Sequence, residues 1–164
     1  MKERALVAFT LLAQMAVGAV WTAGLLHSWA LRRAGLAAAD ELTSRVWPAI
    51  GPIMLLAMLA SFFHLGTPTN AWRALANLGS SWLSREILAA VLFAMAGCLL
   101  AVFQALHLGT WLCAGLTWLA GLAGLGLVVS MANAYRLRTV PAWNTWGTLA
   151  SFMLTALALG GLLT

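Results

Sequence analysis

The sequence predicts an all-α integral membrane protein, because its composition and its long charge-free stretches suit a bilayer better than water. Of the 164 residues, 63% are hydrophobic and only 8% are charged, whereas soluble domains carry about 25% charged residues. The nine tryptophans agree with this, since tryptophan favours the interface between bilayer and water. The net charge of +5 comes from side chains scattered along the sequence, which argues against a nucleic-acid-binding surface.

Charge-free stretches divide the chain into membrane crossings. The four stretches are residues 5–31, 46–72, 87–135 and 139–164. The third would form a helix of about 74 Å, too long for a bilayer core of roughly 30 Å, so we expect it to turn back at 107–110. A single transmembrane domain with about five helices in an up-down bundle is therefore predicted. The expected helices lie near 5–29, 46–65, 84–106, 111–134 and 145–163.

The segment 66–83 is the longest interruption between the predicted crossings. It mixes polar and apolar residues, and its apolar residues Ala71, Trp72, Leu75 and Leu78 recur at helical spacing. A short helix lying in the headgroup layer has this pattern. We therefore predict an interfacial helix within 66–83.

Alternating crossings sort the polar residues onto two faces of the bundle. The N-terminus and the loops near 66–83 and 135–144 share one face, here called the N-terminal face. It collects His64, Asn70, Arg73, Asn77, Arg85, Glu86, Tyr135, Arg136 and Arg138. The loop 30–45 and the turn 107–110 share the opposite face, which collects His27, Arg32, Arg33, Asp40, Glu41, Arg45 and His107.

His64 and Glu86 are the candidate functional pair on the N-terminal face. His64 closes the second predicted helix and Glu86 opens the third, and consecutive helices are usually neighbours. An imidazole and a carboxylate at adjacent helix ends can accept the protons that a hydroquinone releases on oxidation, since histidine titrates near neutral pH. The alternative is that His64 is an interfacial side chain and Glu86 a favourable N-terminal helix charge beside Arg85.

A haem held between two histidines is not expected. His27 and His107 share the opposite face, so they could pair, but both lie at predicted helix ends and no second pair exists. His64 lies on the N-terminal face and cannot join either of them. No metal site is predicted in this sequence.

Several ordered sequence blocks resemble the membrane-anchor subunit of bacterial dimethyl sulfoxide reductase, in the complex iron–sulfur molybdoenzyme family. The blocks are Ser61-Phe62-Phe63-His64-Leu65-Gly66-Thr67-Pro68, Ala74-Leu75, Ser84-Arg85-Glu86-Ile87, Tyr135 with Thr139-Val140-Pro141-Ala142-Trp143, and Gly160-Gly161-Leu162-Leu163. They follow the family's order from the first helix to the last residue. Anchors of this family usually have eight helices, so a version shortened at its C-terminus is expected.

The resemblance implies an anchor that is not itself the reductase. Such a subunit oxidises menaquinol and passes electrons to an iron–sulfur subunit, which feeds a molybdopterin catalytic subunit that reduces dimethyl sulfoxide or related S- and N-oxides in anaerobic respiration. The anchor holds no haem. Carried over by position, His64 and Glu86 form the quinol site, with Gly66 and Pro68 shaping the turn beside the ring. Arg73 and Tyr135 join that site, and Arg136 and Arg138 dock the partner.

The resemblance also implies a location in the bacterial inner membrane with the N-terminus in the periplasm. The N-terminal face carries six basic residues and the opposite face three, and the positive-inside rule alone would place the six in the cytoplasm. We keep the family's orientation, because basic loops can dock an acidic partner subunit.

Two other functions stay open on the sequence. One is a non-redox membrane scaffold or assembly subunit, whose quinol site is incomplete after loss of three helices. The other is a small transporter, which the lack of charged residues in mid-span disfavours.

Overall fold

The structure is a computed structural model that describes residues 2–62, 76–106, 110–136 and 139–164. Within these residues it contains six α-helices and no strand, which confirms the all-α prediction. They are α1 (Lys2–Ala34), α2 (Leu36–Thr43), α3 (Trp47–Phe62), α4 (Trp82–Ala105), α5 (Thr110–Tyr135) and α6 (Trp146–Gly161).

Four spans of the described residues are long and apolar enough to cross a membrane. They are Arg4–Ala34, Leu36–Phe62, Trp82–Ala105 and Leu112–Tyr135, which confirms an integral membrane bundle. Helix α6 is apolar but has only 16 residues. Its length of about 24 Å is a little less than a bilayer core of roughly 30 Å.

The predicted loop at 30–45 is mostly helical. Helix α1 continues to Ala34, and its last turn carries Arg32 and Arg33, which interact favourably with the negative end of the helix dipole. Gly35 then reverses the chain with φ +86°, a conformation that side chains with a Cβ rarely adopt. Helix α2 follows because Ala39 and Thr43 are buried where α2 packs on α1.

The predicted interfacial helix within 66–83 falls largely outside the described residues, which resume at 76 with a tight turn. Helix α4 then begins at Trp82, two residues earlier than expected. The Ser81 hydroxyl caps it by accepting a hydrogen bond from the Ser84 backbone N–H, at 3.3 Å. Serine is a favoured N-cap because its oxygen satisfies an otherwise unpaired amide.

Helix α1 is the central helix, since it packs against α2, α3, α5 and α6. It crosses α6 where Gly18 faces Ala156 and Gly160 faces Gly18 and Ala19, and a Cβ on either glycine would overlap the backbone of the other helix. Small residues at such a crossing let two helices approach closely, which favours packing between membrane helices. The largest fully buried side chains around α1 are Phe93, Ile50, Met54, Leu100, Leu127 and Met131.

Candidate functional site

Inter-helix contacts set the register of the central helices. The Trp21 Nε1–H on α1 donates to the Gly121 carbonyl on α5, at 3.1 Å. One turn away, an ideal Cβ on Gly124 would lie 2.8 Å from Val17 Cγ1. As residue numbers rise along α1, the numbers of the residues that they contact on α5 therefore fall. The two helices are antiparallel, so the start of α1 and the end of α5 share the N-terminal face.

The packing of α3 on α4 sets a second register. An ideal Cβ on Gly97 would lie 3.5 Å from the Gly51 backbone nitrogen. Trp47 at the start of α3 and Gln104 near the end of α4 line the same cavity, so the two helices run in opposite directions. Counting along both helices from this contact brings Phe62, the last described residue of α3, to about the level of Glu86. The predicted partner His64 lies outside the described residues, as do Gly66, Pro68, Arg73 and Arg138.

Glu86 is buried in the bundle. It lies in the second turn of α4, because that helix begins at Trp82, and the residue is only 5% exposed. No hydrogen bond or ion pair reaches its carboxyl group from the described residues. Arg85, its neighbour in sequence, instead donates to the carbonyls of Leu78 and Gly79, each at 2.8 Å.

Buried polar side chains gather around the level of Glu86. Apart from Thr43, every buried polar or charged residue among those that the structure describes lies in this half of the bundle. They are Thr10 and Gln14 on α1, Ser84 and Glu86 on α4, and Ser130 on α5. Sequence reasoning missed Gln14 and Ser130, although a polar residue inside an apolar span was an available signal.

Tyr135 and Arg136 lie at the end of α5 and contact α6. The Tyr135 ring packs on Phe152, with centroids 5.4 Å apart. The Arg136 guanidinium lies 5.2 Å from the centroid of the Trp146 ring and donates from Nη1 to Asn133 Oδ1 at 3.3 Å. Its buried Nε has no partner among the described residues. No contact joins Tyr135 or Arg136 to Glu86 in the described part of the bundle.

A cavity lies at the opposite face of the bundle, where the sequence predicted no site. Its volume is about 650 Å³, and α1, α2, α3, α4 and α5 all contribute to its wall. Most of the lining is apolar or aromatic. Its aromatic and polar side chains include Trp21, His27, Trp47, Gln104, Thr117 and Trp118.

His27 lines this cavity, and its hydrogen-bond partners determine which ring nitrogen carries the hydrogen. Its Nδ1 lies 3.2 Å from Thr43 Oγ1. The single hydroxyl hydrogen of Thr43 is donated to the Ala39 carbonyl, so Nδ1 must carry the hydrogen toward Thr43. Asp40 Oδ1, 4.0 Å from Nδ1, favours the same tautomer. The neutral ring therefore keeps a hydrogen-bond acceptor at Nε2, which has no partner among the described residues.

The position of His27 within its helix differs from the prediction. It was expected near the end of the first helix, but α1 continues to Ala34, about two further turns, and α2 then packs alongside. Among the described residues no group of three or more histidine, cysteine, aspartate or glutamate side chains is placed to hold a metal ion.

Comparison with known proteins decides the family. The sequence profile of the DMSO reductase anchor subunit (DmsC) matches residues 1–164. The protein belongs to the DMSO reductase anchor subunit family.

Three relatives show how the anchor sequence is shared. One component of the anaerobic dimethyl sulfoxide reductase of Haemophilus influenzae is 34% identical over 98% of this protein and 56% of its own length. The YnfH component of an anaerobic dimethyl sulfoxide reductase of Escherichia coli is 32% identical with the same coverage. One component of the sulfite dehydrogenase of Allochromatium vinosum is 35% identical over 70% of this protein and 41% of its own length.

This DmsC-family protein spans about half the length of the curated relatives that it matches. No solved structure matches it.

Proposed function

We propose that this anchor oxidises menaquinol and passes its electrons to an iron–sulfur subunit of a DMSO reductase-type complex. A molybdopterin subunit then reduces dimethyl sulfoxide or a related S- or N-oxide. In this proposal the anchor binds no haem, and iron–sulfur and molybdenum chemistry belongs to the partner subunits. The names of the relatives and membership of the anchor family support the proposal.

The observation that carries the proposal is the carboxyl group of Glu86, which is buried and receives no hydrogen bond or ion pair from the described residues. Burying such a group in an apolar bundle destabilises the fold, and ionisable residues inside membrane helices usually serve proton or substrate pathways. The alternative interpretation, a favourable N-terminal helix charge beside Arg85, fits less well, because Glu86 lies in the second turn of α4 and the dipole effect is confined to the first turn. We therefore retain Glu86 as a proton acceptor.

The helix register supports a role for His64 beside Glu86. Phe62 ends the described part of α3 at about the level of Glu86, and His64 follows two residues later in the sequence. Oxidation of a hydroquinone releases two electrons and two protons. We propose that the Glu86 carboxylate and the His64 ring accept the protons, while the electrons leave to the partner subunit.

The remaining predicted residues take supporting roles. Gly66 and Pro68 shape the turn beside the quinol ring, and Arg73 and Tyr135 border it. Arg136 and Arg138 dock the partner subunit.

We also propose the setting of this protein. It is a single transmembrane domain of the bacterial inner membrane, with α6 as its fifth crossing. Its N-terminus and its quinol site face the periplasm.

The test compares Glu86→Gln and His64→Ala with wild type in the assembled complex. A general base contributes typically 10²–10⁴-fold in rate, so quinol-driven turnover should fall by at least about 100-fold in each variant. Reduction driven by an artificial dye, which reaches the partner subunits directly, should stay normal. Arg85→Gln is a matched control, since Arg85 bonds loop carbonyls and is expected to keep turnover.

Wild-type quinol turnover in both variants would reject this site. Assembly and dye activity without any quinol turnover in the wild-type complex would instead favour the non-redox scaffold.

A further inference from the structure

The cavity at the opposite face is distinct from the proposed quinol site. Its wall includes Trp21 and His27 on α1 and Gln104 on α4, whereas Glu86 lies five turns earlier on α4 than Gln104. At 1.5 Å per residue this separates the two levels by about 27 Å along the helix. A ligand in the cavity therefore cannot contact Glu86.

The cavity has the size and the walls of a small-molecule site. Its volume of about 650 Å³ falls within the usual range for ligand pockets, about 300–1,000 Å³. Trp21, Trp47 and Trp118 contribute aromatic surface. Such pockets combine a mostly apolar wall with a few polar groups that orient the ligand.

The polar groups select a neutral hydrogen-bond donor. His27 is held by Thr43 through Nδ1, so the ring presents Nε2 as an acceptor. Asp40 lines the same cavity and disfavours an anionic ligand by charge repulsion, although Arg32 at the rim offsets part of this. Gln104 adds an amide that can donate or accept.

Three other polar groups of the wall are already hydrogen-bonded. The Thr117 hydroxyl donates to the Cys113 carbonyl at 2.9 Å, and the Ser28 hydroxyl donates to the Gly24 carbonyl at 2.7 Å. The Trp21 N–H donates to the Gly121 carbonyl. His27 Nε2 and the Asp40 carboxylate are thus acceptors for which the described wall shows no hydrogen bond, and Nε2 is the neutral one of the two.

We propose that the cavity between α1, α2 and α5 binds an apolar aromatic ring bearing a neutral phenolic hydroxyl, which donates a hydrogen bond to His27 Nε2. The tryptophans contact the ring, and the ring's apolar substituents extend between α1 and α5. Two membrane-soluble sources share this chemistry, a hydroquinone with two hydroxyls and a simple phenol with one. The site is a binding site, and no redox step is assigned to it.

The test is site-resolved photolabelling of the full-length protein in lipid nanodiscs. The probe is 1-naphthol carrying an alkyl diazirine, and mass spectrometry locates the labelled residues. We expect labelling of α5 around Thr117 and Gly121. Excess 2-methyl-1,4-naphthohydroquinone or 1-naphthol should compete, while 1,4-dimethoxy-2-methylnaphthalene, which has no hydroxyl, should compete about three- to tenfold more weakly, the usual effect of one hydrogen bond.

Variants assign the hydrogen bond to His27. His27→Phe should weaken labelling about three- to tenfold, and His27→Gln should restore much of it because the amide oxygen is an acceptor. Ser28→Ala is the matched control and should label as wild type. A hydroquinone that competes better than 1-naphthol would identify the quinol pool as the source, and equal competition would identify a simple phenol.

Three outcomes would overturn the proposal. They are labelling confined to residues near Glu86, equal competition by the dimethoxy compound, and unchanged labelling in His27→Phe. The competition series uses only the wild-type protein, so it tests the proposal even if His27→Phe fails to fold. None of these results bears on turnover in Glu86→Gln, so the two proposals fail separately.

Discussion

The two ends of this bundle hold ionisable groups in opposite ways. At the N-terminal face, Glu86 is 5% exposed and receives no hydrogen bond from the described residues. At the opposite face, the His27 side chain is 18% exposed, and its Nδ1 is held by Thr43 with Asp40 nearby. Within the described residues, Glu86 is buried without a polar partner, whereas His27 is hydrogen-bonded beside an open cavity.

This difference indicates a different role for each end of the bundle. A carboxyl group inside a membrane helix is usually part of a proton or substrate pathway, so it suits a step in which a proton arrives and leaves. An imidazole oriented through one nitrogen presents the other in a defined direction, which suits recognition. This difference is consistent with the two proposals, in which the Glu86 end transfers protons and the His27 end binds a ligand.

The largest expected effect is the separation of the two ends by the membrane. Ala37→Cys and Ala76→Cys, each in a protein lacking Cys98 and Cys113, should react differently with a membrane-impermeant maleimide added to one side of sealed vesicles. We expect more than about tenfold preference, because the bilayer core of roughly 30 Å blocks the reagent. Detergent should abolish the difference. Equal labelling in intact vesicles would place both residues on one side of the membrane and contradict the assignment of the two ends to opposite faces.

The crossing of α1 and α6 should be the most sensitive packing site. In Gly160→Val the new side chain would overlap the α1 backbone at Gly18. We expect a loss of at least about 3 kcal/mol, the upper end for overpacked cores, measured as unfolding of the protein in detergent. Gly161→Val is the matched control, since nothing lies within 4 Å of its Cβ position. A similar loss in both variants would mean that the close crossing does not exist.

Removal of the buried carboxyl group should stabilise the protein. Glu86→Leu keeps a side chain of similar size and removes the desolvation cost of a polar group that has no partner among the described residues, about 1–3 kcal/mol. The unfolding midpoint in detergent should rise, although quinol-driven turnover of the complex is lost. Glu86→Gln, which stays polar, should change the midpoint less. A lower midpoint in Glu86→Leu would reveal a native partner for the carboxyl group and remove the contrast with His27.

The smallest expected effect concerns the support of His27. Trp47 Nε1–H donates to Thr43 Oγ1 at 3.0 Å, and both residues are buried. Trp47→Phe removes this donor and part of the ring, so the protein should lose about 1–2 kcal/mol of stability. Trp118→Phe is the control, because Trp118 is 72% exposed. Equally small losses of stability in both variants would mean that the hydrogen bond from Trp47 does not stabilise Thr43, and with it the position of His27.

The sequence alone determined the class of the protein and the content of its two faces. A protein with 8% charged residues cannot place long apolar stretches in water, so spanning helices follow from hydropathy without tertiary information. The position of the Glu86 helix was predicted to within two residues at its start. Alternation of crossings then assigns polar residues to faces, and the antiparallel contacts of Trp21 with Gly121 and of Val17 with Gly124 agree with that assignment.

The tertiary structure decided what those residues do within each face. Burial of Glu86 depends on which side of α4 meets its neighbours, and a helix that is apolar all round gives no periodic signal for that. Helix α2 was missed because its eight residues are held by packing on α1, and a short helix is not stable by local propensity alone. The tautomer of His27 and the cavity beside it follow from α2 bringing Thr43 and Asp40 to α1, a contact between segments that no local pattern encodes.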